Sequence, residues 1–132
     1  MIGGKTLAEW QRYEAARESY DRAIALYPEF YGFWLYIGNA VYYLEKYEEA
    51  IAFYDKGIQL KEDCTSAGIN RGIAMMKLER YEAANACCEK AIQIESNCPD
   101  AWYNQLVMHC VVNPLERLKA SSRHGSSTQK SD

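Results

Sequence analysis

The 132-residue chain is poor in the features that mark catalysis, secretion or a membrane. It has two histidines and three prolines, and its longest apolar runs stop far short of the ~20 residues that a spanning helix needs. The opening Met-Ile-Gly-Gly-Lys has no apolar stretch of the kind that directs secretion, so the cytoplasm is the expected compartment and no membrane partner is expected. Neither His109 nor His124 has a recurring acid or nucleophile partner. That leaves no constellation for hydrolysis or group transfer, and the chain reads as a non-enzyme without a cofactor. Gly4-Lys5-Thr6 matches the close of a phosphate-binding loop, but the upstream glycine would precede residue 1 and no strand leads into it.

A concentrated positive face is missing too. Fifteen basic and eighteen acidic residues give a net charge of −3, with the bases spread along the chain in Glu18/Arg22-type pairs. Nucleic acid is not an expected partner, because phosphate contacts need clustered cations. Five cysteines make an odd count, with no Cys-x-x-Cys pair and no zinc spacing, and His109 beside Cys110 lacks further ligands nearby. Cys87 and Cys88 are adjacent on a helical pattern and point in different directions. Cys64 and Cys98 hold the same loop place in successive copies of a repeated segment, where bonding each other would collapse the array. All are expected to act as small apolar residues in a reducing cell, with no metal role.

What the chain does have is one segment written three times. Arg12-Tyr-Glu-Ala-Ala16, Lys46-Tyr-Glu-Glu-Ala50 and Arg80-Tyr-Glu-Ala-Ala84 put Tyr13, Tyr47 and Tyr81 at intervals of 34, together with Glu14, Glu48 and Glu82 and with Ile24, Ile58 and Ile92. A chain that repeats one short unit stacks those units into an array with a continuous core and a long shared surface.

Within each unit the spacing is helical. From Tyr47 to Leu60 the apolar residues fall at 47, 50, 51, 54, 57, 58 and 60, while Glu48, Glu49, Asp55 and Lys56 take the other face. A second stripe, Trp34, Ile37, Gly38, Val41 and Leu44, precedes it. Only Glu45-Lys46 separates the two, with equivalents Gln11-Arg12 and Glu79-Arg80, and so short a connection forces antiparallel neighbours. Each repeat is predicted to be a helical hairpin. Gly38 and Gly72 on first helices, with Ala50 and Ala84 on second helices, leave room for close approach within a hairpin. Ala23, Gly57 and Ala91 are expected to do the same toward the next unit. Pro28 stops the helix before it.

These residues resemble the tetratricopeptide repeat family, whose 34-position pattern has Trp, Leu, Gly, Tyr, Ala, an aromatic, Ala and Pro at fixed places. From Tyr31 onward those places hold Trp34, Ile37, Gly38, Val41, Ala50, Tyr54, Gly57 and Glu62. From Thr65 onward Gly72, Ala84 and Ala91 remain, with Gly68 for Trp, Arg71 for Leu and Cys88 for the aromatic. The related pentatricopeptide repeats run at 35 and lack these Gly and Ala places. The expected fold is an all-α solenoid of antiparallel helical hairpins, about three units with truncated ends. The repeat domain is expected over residues 1–118, as a partial unit 1–30, units 31–64 and 65–98, and a partial unit 99–118. Residues 119–132 are expected to form a disordered tail. Gly4 holds the glycine place of a first helix that keeps only its last two turns. Trp102 stands 68 after Trp34, and the helix from Pro99 to Val112 carries more apolar surface than one neighbour covers, which favours a partner or self-association.

The resemblance implies a concave groove lined by the first helices and binding a protein or peptide. Carried over, the groove begins with Lys5, Ala8 and Glu9, followed by Leu35, Tyr36, Asn39, Tyr42 and Tyr43. Ser66, Ile69, Asn70, Ile73, Met76 and Lys77 come next, and Asp100, Tyr103, Asn104 and Val107 close it. Tyrosines combine contact area with a hydroxyl, and Asn39, Asn70 and Asn104 can each pair with a peptide backbone. The competing reading is that Tyr36, Tyr42 and Tyr43 only pack between units. Family members that hold chaperone carboxylate tails use two Lys, one Arg and two Asn. Here Asn39 and Asn70 match, but Leu35, Asp100 and Asn104 replace the cations, so such a tail is expected to be excluded. The function expected is that of a noncatalytic interaction module with a scaffold or adaptor role. The alternative is a structural unit that forms homo-oligomers through exposed terminal repeats.

Overall fold

The computed structural model describes residues 6–112, and side chains as far as Met108. The expectations for Lys5, for the second helix of the fourth unit after Pro114 and for the tail 119–132 lie outside the described residues. Six helices make up the described chain, with no strand among these residues: α1 Leu7–Leu26, α2 Tyr31–Tyr43, α3 Tyr47–Leu60, α4 Thr65–Lys77, α5 Tyr81–Ile94 and α6 Pro99–Val112. No helix in the described part is long and apolar enough to cross a membrane.

Two of the three expected short connections form, and in the same way. The helix α2 ends in a left-handed residue, Glu45 at φ 63, and α4 in its equivalent, Glu79 at φ 61. Behind each, the amide of the next residue reaches back across the turn, Lys46 N–H to the Val41 carbonyl at 3.0 Å and Arg80 N–H to the Met75 carbonyl at 2.9 Å. Glu45 and Glu79 close the inner bond to Tyr42 and Met76, both at 2.9 Å, which completes a Schellman termination. The third connection does not form. Gln11-Arg12 lies inside α1, a single helix of 20 residues. Among the described residues no separate helix packs ahead of this point, so nothing there offsets the cost of a left-handed residue and the helix runs through. Thr6 caps it, its hydroxyl accepting from the Glu9 amide at 3.2 Å and lying 3.3 Å from the Glu9 carboxylate, to which it can donate.

Sequential helices pack against each other, and α2 also meets α4 and α4 meets α6 along the backbone, whereas α3 and α5 do not. The first helices of the units are therefore drawn together on the inside of a curve and the second helices are splayed outside. Ion pairs tie the outer helices at the repeat interval: Lys46 with Glu14, Arg80 with Glu48 in the equivalent place, and Arg17 with Glu49. The basic residues thus join neighbouring units instead of pairing along one helix.

One core runs through the array. Val41, Leu44, Ala50, Ile51 and Tyr54 continue into Ala74, Met75, Ala84, Cys87 and Cys88 and on to Met108. Under Gly38 the Tyr54 ring is so close that a Cβ would lie 2.6 Å from it, and a Cβ on Gly72 would lie 3.1 Å from Cys87 and 3.3 Å from the Ala84 carbonyl. Both glycines therefore mark the crossing of the two helices in a hairpin. Gly57 does not have the role expected of it: it faces α2 of its own hairpin, and a Cβ there would meet Tyr31 and Trp34 at 3.6–3.7 Å, an ordinary contact.

Candidate functional site

The inner face of α2, α4 and α6 carries two adjoining recesses that share Tyr42 and Ile73. The first, about 220 Å³, is bounded by Asn39, Tyr42, Tyr43, Tyr54, Asn70 and Ile73. The second, about 360 Å³, is bounded by Tyr42, Ile73, Met76, Lys77, Tyr81 and Asn104. Helical spacing on α2 and α4 puts these side chains on one stripe, and the curvature turns the stripes toward each other.

The floor is a hydrogen-bonded polar line. Tyr54 Oη donates to Asn39 Oδ1 at 2.6 Å, and Asn70 Nδ2 donates to the same oxygen at 3.1 Å. Asn39 of α2 and Asn70 of α4 are thus joined to each other, and the Asn39 acceptor is already used. The Asn39 amide donors and the Asn70 carbonyl oxygen take no part in these two bonds. Burial raises the Tyr54 phenol well above its ordinary value, with smaller contributions from Tyr42 and Tyr43, and burial also raises Tyr42. Both hydroxyls are neutral at physiological pH.

The expected tyrosines have two roles. Tyr43 stacks on Tyr13 of α1, with centroids 5.0 Å apart and planes at 17°, and Tyr36 leans on Tyr20 at 5.8 Å. Both join units, as the competing reading held, yet each stays nearly half exposed. Tyr42 meets Tyr43 and Tyr47 edge-on at 5.4 Å and forms the ridge between the recesses. Leu35 is half-buried and packs against the core. Ile69 is corrected outright: it is 7% exposed in a core cluster with Ala91, Cys98 and Ala101, because its position on α4 turns toward α5 and α6. On α6, Asn104 reaches the second recess, while the exposed Tyr103 and the half-buried Val107 border neither. Two wall residues were missed. Tyr54 was read as core only, and Tyr81 as part of a second helix, although its recurrence with Tyr13 and Tyr47 was a visible signal.

A family model described as Tetratricopeptide repeat matches residues 4–63, and a second with the same description matches residues 69–98, which together span more than half of the chain. No curated protein sequence matches. Among solved structures, the first TPR of Spaghetti (RPAP3) bound to HSP90 peptide SRMEEVD superposes with a TM-score of 0.74 at 20% identity, over 77% of this chain and 81% of that one. The second TPR domain of human RPAP3, in complex with HSP70 peptide SGPTIEEVD, gives 0.72 at 25% identity, over 75% and 82%. The TPR2B domain of yeast Sti1, in a complex with an Hsp70 ligand, gives 0.71 at 18% identity, over 75% and 84%.

The expected exclusion of a chaperone carboxylate tail does not follow from the fold, since structures that share it hold HSP90 and HSP70 peptides. The exclusion matched cations place by place, but a carboxylate needs only a cation and donors within reach. Lys77 stands exposed beside Asn104 at the edge of the second recess.

Proposed function

The chain belongs to the tetratricopeptide repeat family, a family of protein-interaction modules, and from that premise we propose that it binds a peptide or helix of a partner protein along the groove from Asn39 to Asn104. The observation that carries this reading is the pair of recesses, where apolar walls from Tyr42, Ile73 and Met76 flank the polar line of Asn39, Asn70 and Asn104. Apolar walls suit side chains and asparagine amides suit the backbone between them. Acidic peptides are candidate ligands, with Lys77 as the cation they would meet. The role is that of a noncatalytic scaffold or adaptor. The buried thiols of Cys87 and Cys88 suit a reducing compartment such as the cytoplasm.

Peptides selected by display on the wild-type chain, and the two chaperone peptides held by the neighbours, test the reading by fluorescence anisotropy. Ile73→Asp places a charge between both recesses and is expected to weaken a selected peptide at least ~10-fold, the scale of a lost anchor residue. Equal affinity for both chains would contradict groove binding.

A second reading rests on α6, where Trp102, Tyr103 and Leu106 are 53%, 66% and 62% exposed. An apolar face at the end of a stack can pair with a second copy. Light scattering over a concentration series checks this: a monomer at about 100 μM removes self-association, and a dimer broken by Leu106→Asp but not by Ile73→Asp supports it.

A further inference from the structure

The array has a vacancy that its own period defines. Trp34 and Trp102 hold the same place in their units, and each indole Nε1 donates to the carbonyl six residues before it, Trp34 to Pro28 at 2.8 Å and Trp102 to Ser96 at 3.0 Å. In the unit between them that place belongs to Gly68, and a Cβ built there meets nothing within 4 Å. A cavity of about 350 Å³, open to solvent, lies beneath it. It faces α3 and α5 on the other side of α4 from the groove, and none of its lining residues is shared with the two recesses.

The cavity keeps most of what holds an indole one unit earlier. Around Trp34 the neighbours are the Pro28 carbonyl, the Phe53 ring at 6.2 Å, the Lys56 ammonium over the ring at 5.8 Å and Gly57. The residues 34 places later are Glu62, Cys87, Lys90 and Ala91, and all four line the cavity. The carbonyl acceptor, the cation and the small residue are retained, and the Phe53 ring is replaced by a smaller thiol. The vacancy has room for the missing side chain and keeps most of the groups that hold it one unit earlier.

We propose that the cavity beneath Gly68 is a socket for the indole of a tryptophan presented by a partner polypeptide. The ring enters between Ile58, Ile94 and Ala91, its N–H donates to the Glu62 carbonyl, and Lys90 lies over its face. On the rim Asp55 and Arg71 are bonded to each other, while Lys90 and Glu62 offer charges of both signs to the polar backbone on either side of that tryptophan, which favours a peptide-borne indole over a free one. This second site goes beyond the groove and does not depend on it.

The probe is N-acetyl-tryptophanamide, titrated into the wild-type chain while the methyl signals of Ile58, Ile94 and Ala91 are followed by NMR. Saturable shifts are expected, with a dissociation constant on the order of 1 mM for so small a ligand. The 1-methylindole analogue, which lacks the N–H, should bind about 3- to 10-fold more weakly. Gly68→Trp should fill the socket from within, abolish the shifts and melt roughly 3–6 °C above Gly68→Ala, which relieves the helix glycine without filling the space. The proposal is overturned by any of four results. These are no saturable shift at Ile58 and Ile94, shifts confined to Ile73 and the groove, undiminished binding to Gly68→Trp, or a Gly68→Trp that is less stable than Gly68→Ala. If free indole binds and the amide does not, the peptide source is wrong.

Discussion

The hairpins α2–α3 and α4–α5 share length, turn and register, yet they are filled differently. In the first, Trp34 covers the outer end and the Tyr54 ring lies under Gly38, with 1% of Tyr54 exposed. In the second the equivalents are Gly68 and Cys88, Cys87 lies under Gly72, and a cavity is left at the outer end. A backbone set by glycine, alanine and a left-handed turn tolerates either filling, because the helix crossing depends on small residues at the contact and not on the bulk around it. Function can therefore collect where the filling is thin.

The contrast is broken most strongly at its largest side chain. Tyr54→Ala should cost ~3–5 kcal/mol, the range for truncating a buried aromatic, and Cys88→Ala about 1 kcal/mol, both measured by urea unfolding. Equal costs would mean that the two hairpins are packed alike. Next come the glycines. Gly38→Ala drives a methyl into the Tyr54 ring and should cost ~1–3 kcal/mol, while Gly72→Ala, with 3.1–3.3 Å of clearance, should cost less. Smaller changes of the opposite sign sharpen the comparison. Glu45→Gly removes the strain of a left-handed residue, and Gly57→Ala adds a methyl where the contacts are ordinary, so each should stabilise by about 0.5–1 kcal/mol.

The smallest effect is alkaline, and it distinguishes the hairpins by position 54 against position 88. Burial pushes the Cys88 thiol up to about 11, with Cys87, Cys98 and Glu89 adding to the shift, and burial raises the Tyr54 phenol further. Each group has its folded value above its unfolded one, so its contribution is complete below the unfolded value and is lost as pH rises toward the folded value. For Cys88 that loss begins near pH ~9, and for Tyr54 above pH ~10. The urea midpoint of Cys88→Ala should stay flatter than that of the wild type between these values. A parallel fall would contradict the assignment.

How much of this was legible beforehand follows from what a 34-residue period can encode. It encodes which residues are equivalent, and so the hairpins, the glycine crossings and the shared place of Trp34 and Trp102 could be read directly. It does not encode what happens where a neighbour is missing. Gln11-Arg12 has the spacing of a turn but, among the described residues, no separate helix ahead of it, and it stays helical. Nor does it give the rotation of each helix about its axis, which places Ile69 in the core and brings Tyr54 and Tyr81 to the groove wall. The charge argument against acidic tails is limited in a related way, since it compared single places and left out Lys77 at the second recess.

The central claim is that the inner face of the first helices is where a partner is held. Chemical-shift mapping of a display-selected peptide on the isotope-labelled chain tests it directly. The account predicts that the largest changes fall on Asn39, Tyr42, Asn70, Ile73 and Asn104 and vanish with Ile73→Asp. Changes confined to the outer helices α3 and α5, or to the exposed face of α6, would contradict it.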